Sequence, residues 1–401
     1  MKDLLWLGIT WDEGIMIDGS TKGDHGPYRQ SDRLSIYNDL AHDLVKKGMA
    51  YYCFLPDNFD GSKKVYRDSS LDDALLKISK GDPYSIRFKV PLNDDVTFFD
   101  DIRGKITMNT GVIDDFVILR SNKIPTYNFA TAVDDHLMDI SHVIRADEHL
   151  NNTLPQILIY KAFGWILPKF AHLSLILGPD RSKLSKRHGA SSVGDFKNRG
   201  VLPSALTNYL SLLGWSHPKK KELFPMNDLL DNFSLKKVNL APAIFDDTKL
   251  IWMNGVYLRD LSDTNLADLI KDLSWPDGIN LINAAALYKT NATVLKDYDV
   301  VVNWTKPMNF VLDDDAKTFL SGNDNAIKVL KSYLNWIDGD DSFDSYLNTM
   351  IGAGLKGRDL YWTLRIAAIG SPHGPDNRGL VSLIPKSLLK DRALATLKNM
   401  V

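Results

Sequence analysis

The sequence predicts an α/β domain that is split by a β-rich segment and followed by an α-helical half. Three observations carry this expectation. The compact apolar run His172-Leu173-Ser174-Leu175-Ile176-Leu177 leads into a basic loop, as a buried strand does when it delivers a ligand-binding loop at its carboxyl end in an open α/β sheet. Residues 51–128 break into short β-rich runs separated by Pro, Gly and Asp turns. After residue 190 the apolar residues recur three and four apart, the period of a helix face.

Taken in order, residues 31–48 read as an amphipathic helix. Ser31 or Asp32 is expected to cap it, Leu34, Tyr37, Leu40, Ala41, Leu44 and Val45 to form its apolar face, and Gly48 to close it. Residues 84–90, 96–99 and 115–119 read as strands of the β-rich segment, and residues 155–165 resume a helical pattern. Residues 172–177 read as one buried strand. Ala205, Leu206, Tyr209, Leu210 and Leu213, then Leu266, Leu269, Ile270 and Leu273, mark helices beyond it.

At 401 residues the chain exceeds one domain, and a hydrophobic fraction of 44% is enough for full cores. The net charge of −2 excludes a bulk-basic nucleic-acid binder, so any such contact must come from local patches and depend steeply on salt. Cys53 is the only cysteine, which rules out an intrachain disulfide and a cysteine-rich zinc site. No apolar run approaches the ~18 residues of a membrane span, and the start is not a secretory signal. A cytoplasmic protein with no membrane contact is expected.

The most informative stretch is Asp180-Arg181-Ser182-Lys183-Leu184-Ser185-Lys186-Arg187-His188-Gly189, just after Gly178-Pro179. It sets two lysines and two arginines in a short turn punctuated by serine and glycine. Mobile ammonium groups beside a closely approaching backbone suit a polyphosphate, and can follow charge onto a leaving pyrophosphate. Alone, such a loop is usually only a solvated surface turn. Upstream, Tyr127 offers an aromatic wall with a hydroxyl, and Arg145 a planar fork for a carboxylate. The alternative for Arg145 is an internal salt bridge to Asp147 or Glu148. His136, His142 and His149 lie among Asp134, Asp135, Asp139 and Asp147, but spacings of six and seven match no compact ligand pattern, and no zinc is expected.

These motifs resemble those of bacterial-type glutamyl-tRNA synthetases, which are class I aminoacyl-tRNA synthetases. The basic loop is similar to that family's KMSKS loop in its Lys-Leu-Ser-Lys-Arg form. The resemblance extends to Leu5 through Gly14, Gly26-Pro27-Tyr28-Arg29-Gln30-Ser31, Thr126 through Ala130, and Ser141 through Leu150. It continues through Leu202 to Ser216, Phe245 to Gly255, and, less specifically, Gly357 to Pro375. It implies a Rossmann-like nucleotide-binding domain in residues 1–50 and 129–195, and an acceptor-end-binding insertion in 51–128. A stem-contact region in 196–262 and a helical anticodon-binding region in 263–401 would follow.

The implied reaction is ATP-dependent activation of L-glutamate to glutamyl-adenylate, then transfer to the 3′ end of tRNA(Glu), with tRNA(Gln) left open. The resemblance makes Lys183 and Lys186 catalytic, and assigns ATP to Lys183, Leu184, Ser185, Lys186 and Arg187. It assigns glutamate to Tyr127, Arg145 and Glu148, brings Mg2+ in with ATP, and suggests a monomer. The family's first strand and its HIGH histidines have no counterpart after Met1. Residues 1–401 alone are therefore expected to be inactive in glutamate-dependent pyrophosphate exchange. Alternatives are a synthetase-derived tRNA-binding protein without catalytic activity, a tRNA-modifying paralogue, which residues 256–401 argue against, and a metal hydrolase resting on the histidines alone.

Overall fold

A computed structural model describes residues 1–58, 66–185, 187, 189, 192–307 and 310–400. The chain packs as two units, Met1–Ser191 with Thr207–Asp246, and Ser192–Leu206 with Asp247–Val401. Among the described residues, no helix is long and apolar enough to cross a membrane.

The first unit opens with a short helix α1 (Lys2–Trp6) and a small ribbon of β1 (Gly14–Ile15) and β2 (Thr21–Lys22). Helix α2 spans Leu34–Lys46. The cap expected at Ser31 or Asp32 does not form: residues Gln30–Arg33 make a 3-10 turn, and Arg33 precedes the helix with no side-chain cap. The physical reason lies in Arg33, whose buried guanidinium donates to Asp134 at 2.7 Å and to the Pro27 carbonyl at 3.1 Å. That anchor fixes the turn and delays the helix. Gly48, at φ +71°, then reverses the chain.

The β-rich segment contains β3 (Ala50–Cys53), helix α3 (Leu71–Ser79), β4 (Ser85–Phe88), β5 (Asp95–Asp100), β6 (Gly104–Asn109) and β7 (Val117–Leu119). Strands β3, β4 and β7 form an antiparallel sheet in that order. Next come α4 (Tyr127–Leu137), β8 (His142–Ala146), α5 (Leu150–Phe163), β9 (Lys169–Leu173) and β10 (Ile176–Leu177). A second sheet has the order β6-β5-β9-β8, in which β8 and β9 are parallel and joined through α5. Parallel neighbours need such a crossover. Tyr37, Ile86, Phe88, Phe129, Val133 and Ile157 are fully or almost fully buried in the shared core.

Residues 172–177 are not one strand. Strand β9 ends at Leu173, and after Ser174-Leu175 the chain enters β10, which pairs in parallel with β11 (Ala243–Ile244) in a separate two-stranded sheet. The Ser174 hydroxyl donates to the Leu240 carbonyl. That polar residue, set in an apolar run, marks the change of sheet.

The second unit has no strand among its described residues and is built of helices. Asp324–Ile337 illustrates the local logic. Asn323 caps it by accepting from the Ala326 amide, and Ala326, Val329, Leu330, Tyr333, Trp336 and Ile337 form its buried face.

Candidate active site

Strands β5, β8 and β9, helices α4 and α5 and one turn build the site. In the parallel register of β8 and β9, Arg145 lies beside His172, and the period of two puts neighbouring positions on one face. Strand β5 alternates exposed and buried residues, with Val96, Phe98 and Asp100 inward. The same alternation that buries two apolar side chains therefore buries the Asp100 carboxylate.

The result is a connected chain of hydrogen bonds. Arg145 Nε donates to His172 Nε2 at 3.1 Å, and Arg145 Nη2 to Thr153 Oγ1 at 2.9 Å. The Thr153 hydroxyl also lies 3.2 Å from His172 Nε2, and His172 Nδ1 lies 2.6 Å from Asp100 Oδ2. A guanidinium can only donate, so Nε2 accepts and the ring proton sits on Nδ1, directed at Asp100. His172 is neutral in this arrangement, and burial holds its pKa below the ordinary value. Burial opposes ionisation of Asp100, but donation from His172 and from the amides of Arg103, Ile102 and His172 outweighs it and lowers its pKa. Burial also lowers the pKa of Arg145, with Tyr127 and Asp135 favouring its charge.

The acids next to Arg145 in sequence are engaged elsewhere. Asp147 pairs with Arg103 at 2.6 Å, and Glu148 with Lys183 Nζ at 2.6 Å. Among the described residues, the hydrogen-bonding partners of Arg145 are neutral side chains rather than carboxylates. Tyr127, the first residue of α4, is 53% exposed, and its ring centroid lies 6.2 Å from that of His149.

The basic loop begins as a tight turn. The Leu184 amide donates to the Ile176 carbonyl at 3.0 Å and the Gly178 amide to the Ser182 carbonyl at 2.8 Å, with Arg181 at φ +61° between them. Asp180 accepts from the Ser182 amide and hydroxyl, and Arg187 donates to both Asp180 and Ser182. Leu184 and Ser185 are half-buried. The exposed Lys183–Glu148 pair joins this turn to the segment after β8, and donation from Lys183 lowers the Glu148 pKa. Lys186 lies outside the described residues.

The histidines flagged for metal are engaged separately. His136 stacks on Trp165 with centroids 4.0 Å apart, His142 contacts Ser141, and His149 contacts Asn152. Asp134 accepts from Arg33 and from the Tyr37 hydroxyl. Among the described residues, no group of three or more His, Cys, Asp or Glu side chains is placed to hold a metal ion. The residues that sequence reasoning missed are Asp100, His172 and Thr153. The available signal was one histidine within an apolar run and one aspartate on the apolar phase of a strand.

Residues 1–252 match the family of class I tRNA synthetases (E and Q), catalytic domain. The chain is 38% identical to a glutamate–tRNA ligase of Bdellovibrio bacteriovorus, over 98% of this chain and 86% of that protein. It is 39% identical to one of Heliobacterium modesticaldum, over 95% and 82%. The solved structure of a glutamate tRNA ligase from Elizabethkingia meningosepticum in complex with its amino acid superposes with a TM-score of 0.84 at 28% identity, covering 100% of this chain and 89% of that one. The chain belongs to the bacterial glutamate–tRNA ligases. As a class I aminoacyl-tRNA synthetase it is an ATP-using enzyme of protein biosynthesis that joins glutamate to tRNA. The alternative of a non-catalytic tRNA-binding derivative is not favoured, because the matched ligases cover nearly the whole chain. This ligase's mixed sheet and helical half also agree with the fold expected.

Proposed function

We propose that Arg145 and Tyr127 hold the substrate glutamate, and that Lys183 and Lys186 neutralise the triphosphate of ATP. The observation that carries the first assignment is the pairing of Arg145 with neutral side chains. A guanidinium so fixed presents its charge to an incoming carboxylate without first breaking an ion pair. Glu148 shapes the same pocket and in this state tethers Lys183, so ATP entry exchanges a carboxylate partner for phosphate oxygens. Leu184, Ser185 and Arg187 complete the nucleotide contact through the turn. Mg2+ enters on the phosphates of ATP, whose oxygens are its preferred ligands.

In this reading residues 51–128 bind the acceptor end, 196–262 contact the stem and 263–401 read the anticodon, on a cytoplasmic monomer. tRNA(Glu) is the principal partner, and tRNA(Gln) is tested as a second. Arg145→Ala should weaken L-glutamate binding roughly thirtyfold or more, corresponding to about 2 kcal/mol for a lost charge-assisted clamp. Calorimetry measures it. Unchanged glutamate affinity in a folded variant removes Arg145 from the pocket. Filter binding of tRNA(Glu) against tRNA(Gln) resolves partner choice, and sedimentation resolves the oligomeric state.

A further inference from the structure

Asp100, His172 and Thr153 form a buried polar chain that ends on Arg145 and on no other charged side chain of β8. All three are fully buried, whereas Arg145 is only half-buried. Burying three polar side chains is costly unless each is satisfied, and here each is satisfied in one direction. Asp100 accepts from the amides of Ile102, Arg103 and His172, and from the His172 Nδ1–H as well. His172 is left with one lone pair, on Nε2, and that lone pair faces the Arg145 fork.

We propose that His172 is a positioning residue for glutamate recognition, with Asp100 fixing its tautomer and Thr153 holding the other arm of the fork. The inference rests on the reading of Arg145 as the glutamate clamp, and adds what sets the angle and plane of that clamp. Arginine has several rotatable bonds, and an unsupported guanidinium samples many orientations. Two neutral acceptors, at Nε and Nη2, fix the plane without cancelling the charge. A carboxylate in the place of His172 would hold the fork as well, but would compete with the substrate. A protonated histidine would turn a donor toward a donor.

The chemistry separates two variants of one residue. In His172→Gln the amide oxygen reaches the place of Nε2 and accepts from Arg145, while the bond to Asp100 is lost. In His172→Asn the shorter side chain can meet Asp100 but leaves Arg145 without its acceptor. In Asp100→Asn, the amide oxygen is best spent on the Ile102 and Arg103 amides, which turns the NH2 toward His172 Nδ1. The ring proton then moves to Nε2 and opposes Arg145, the wrong-tautomer effect known from triads.

The test is L-glutamate binding by calorimetry on the full chain, with unfolding midpoints for each variant and nitrogen NMR of the histidine-labelled parent. His172→Asn and Asp100→Asn should each weaken glutamate about tenfold, the low end for loss of a supporting partner, and His172→Gln by no more than about threefold. The parent should show His172 neutral with its proton on Nδ1 at pH 7.5, and that measurement needs no variant to fold. If Arg145→Ala weakens glutamate but folded His172→Asn and Asp100→Asn bind it as the parent does, the positioning role is wrong and the clamp stands. If Arg145→Ala has no effect, the clamp reading itself fails and takes this inference with it. Equal losses in His172→Gln and His172→Asn, or a charged or Nε2-protonated His172 in the parent, also overturn the proposal.

Discussion

Asp100, His172 and Thr153 are fully buried beneath Arg145, whereas Lys183 and Arg187, in the turn after β10, keep 60% and 63% of their side-chain surface exposed. Both regions carry charge within one packing unit. Under Arg145 the partners are short, neutral toward the guanidinium and sealed from water, so rearranging them would strand buried polar groups. In the turn the partners are carboxylates, Glu148 for Lys183 and Asp180 for Arg187, in water that screens them. Such pairs add little to stability and can be exchanged at little cost. The difference fits two tasks. Selecting an amino acid calls for a fixed fork, and following charge onto pyrophosphate calls for side chains that can change partner.

If that contrast holds, a lysine of the turn changes rate and leaves the fold alone. Lys186→Ala should slow glutamyl-adenylate formation by roughly a hundredfold or more, because a cation that meets the developing phosphate charge is worth about 3 kcal/mol. The assignment rests on the place of Lys186 in the Lys-Leu-Ser-Lys-Arg motif. ATP–pyrophosphate exchange gives the rate, and thermal unfolding gives the control. A rate within threefold of the parent, or a large loss of stability, breaks the contrast.

The buried side should behave the other way. Asp100→Ala strands the His172 Nδ1–H and the amides that Asp100 now accepts from. Leaving buried donors unsatisfied should cost about 3 kcal/mol of stability. Urea unfolding followed by tryptophan fluorescence would measure it. A loss below about 1 kcal/mol would mean that water reaches this chain, and that it is no more fixed than the turn.

Part of this division is legible in the sequence. The helical second half follows from spacing and residue type, which are local patterns, whereas the roles proposed for Lys183, Tyr127 and Arg145 come from the resemblance of their motifs to the glutamyl-tRNA synthetases. The supports of Arg145 were hidden, because Asp100, Thr153 and His172 come from three elements separated by up to 72 positions. The pairing of β5 and β8 with β9, and the packing of helix α5, bring them together. The cap of α2 was misread for the same reason. Ser31 and Asp32 have the right local chemistry, yet the long-range bond from Arg33 to Asp134 decides where the helix starts. The strand expected over 172–177 failed at Ser174, a residue whose partner, Leu240, lies 66 positions away.

Asp135 lies between the two cases and gives the smallest expected effect. It is half-buried on α4, and burial pushes its carboxyl up from 3.8 to about 6, against the pull of the Arg145 charge and with the Asp134 charge adding to the rise. A carboxyl whose pKa is raised by folding binds its proton more tightly in the native state. Its contribution to stability is therefore present at low pH and lost as pH rises through about 6. Asparagine has no proton to lose and carries no charge to bury. Asp135→Asn should raise the unfolding midpoint by roughly 3 °C at pH 7.5, and the gain should be clearly smaller at pH 4.5, between the ordinary value of 3.8 and the native value of about 6. Scanning calorimetry at the two pH values measures both. A gain of equal size at the two pH values would assign it to packing, and a loss at pH 7.5 would show that the attraction between Asp135 and Arg145 outweighs the burial. In that event the fork would rest on a charged neighbour as well as on neutral ones, and the contrast with the turn would be one of degree.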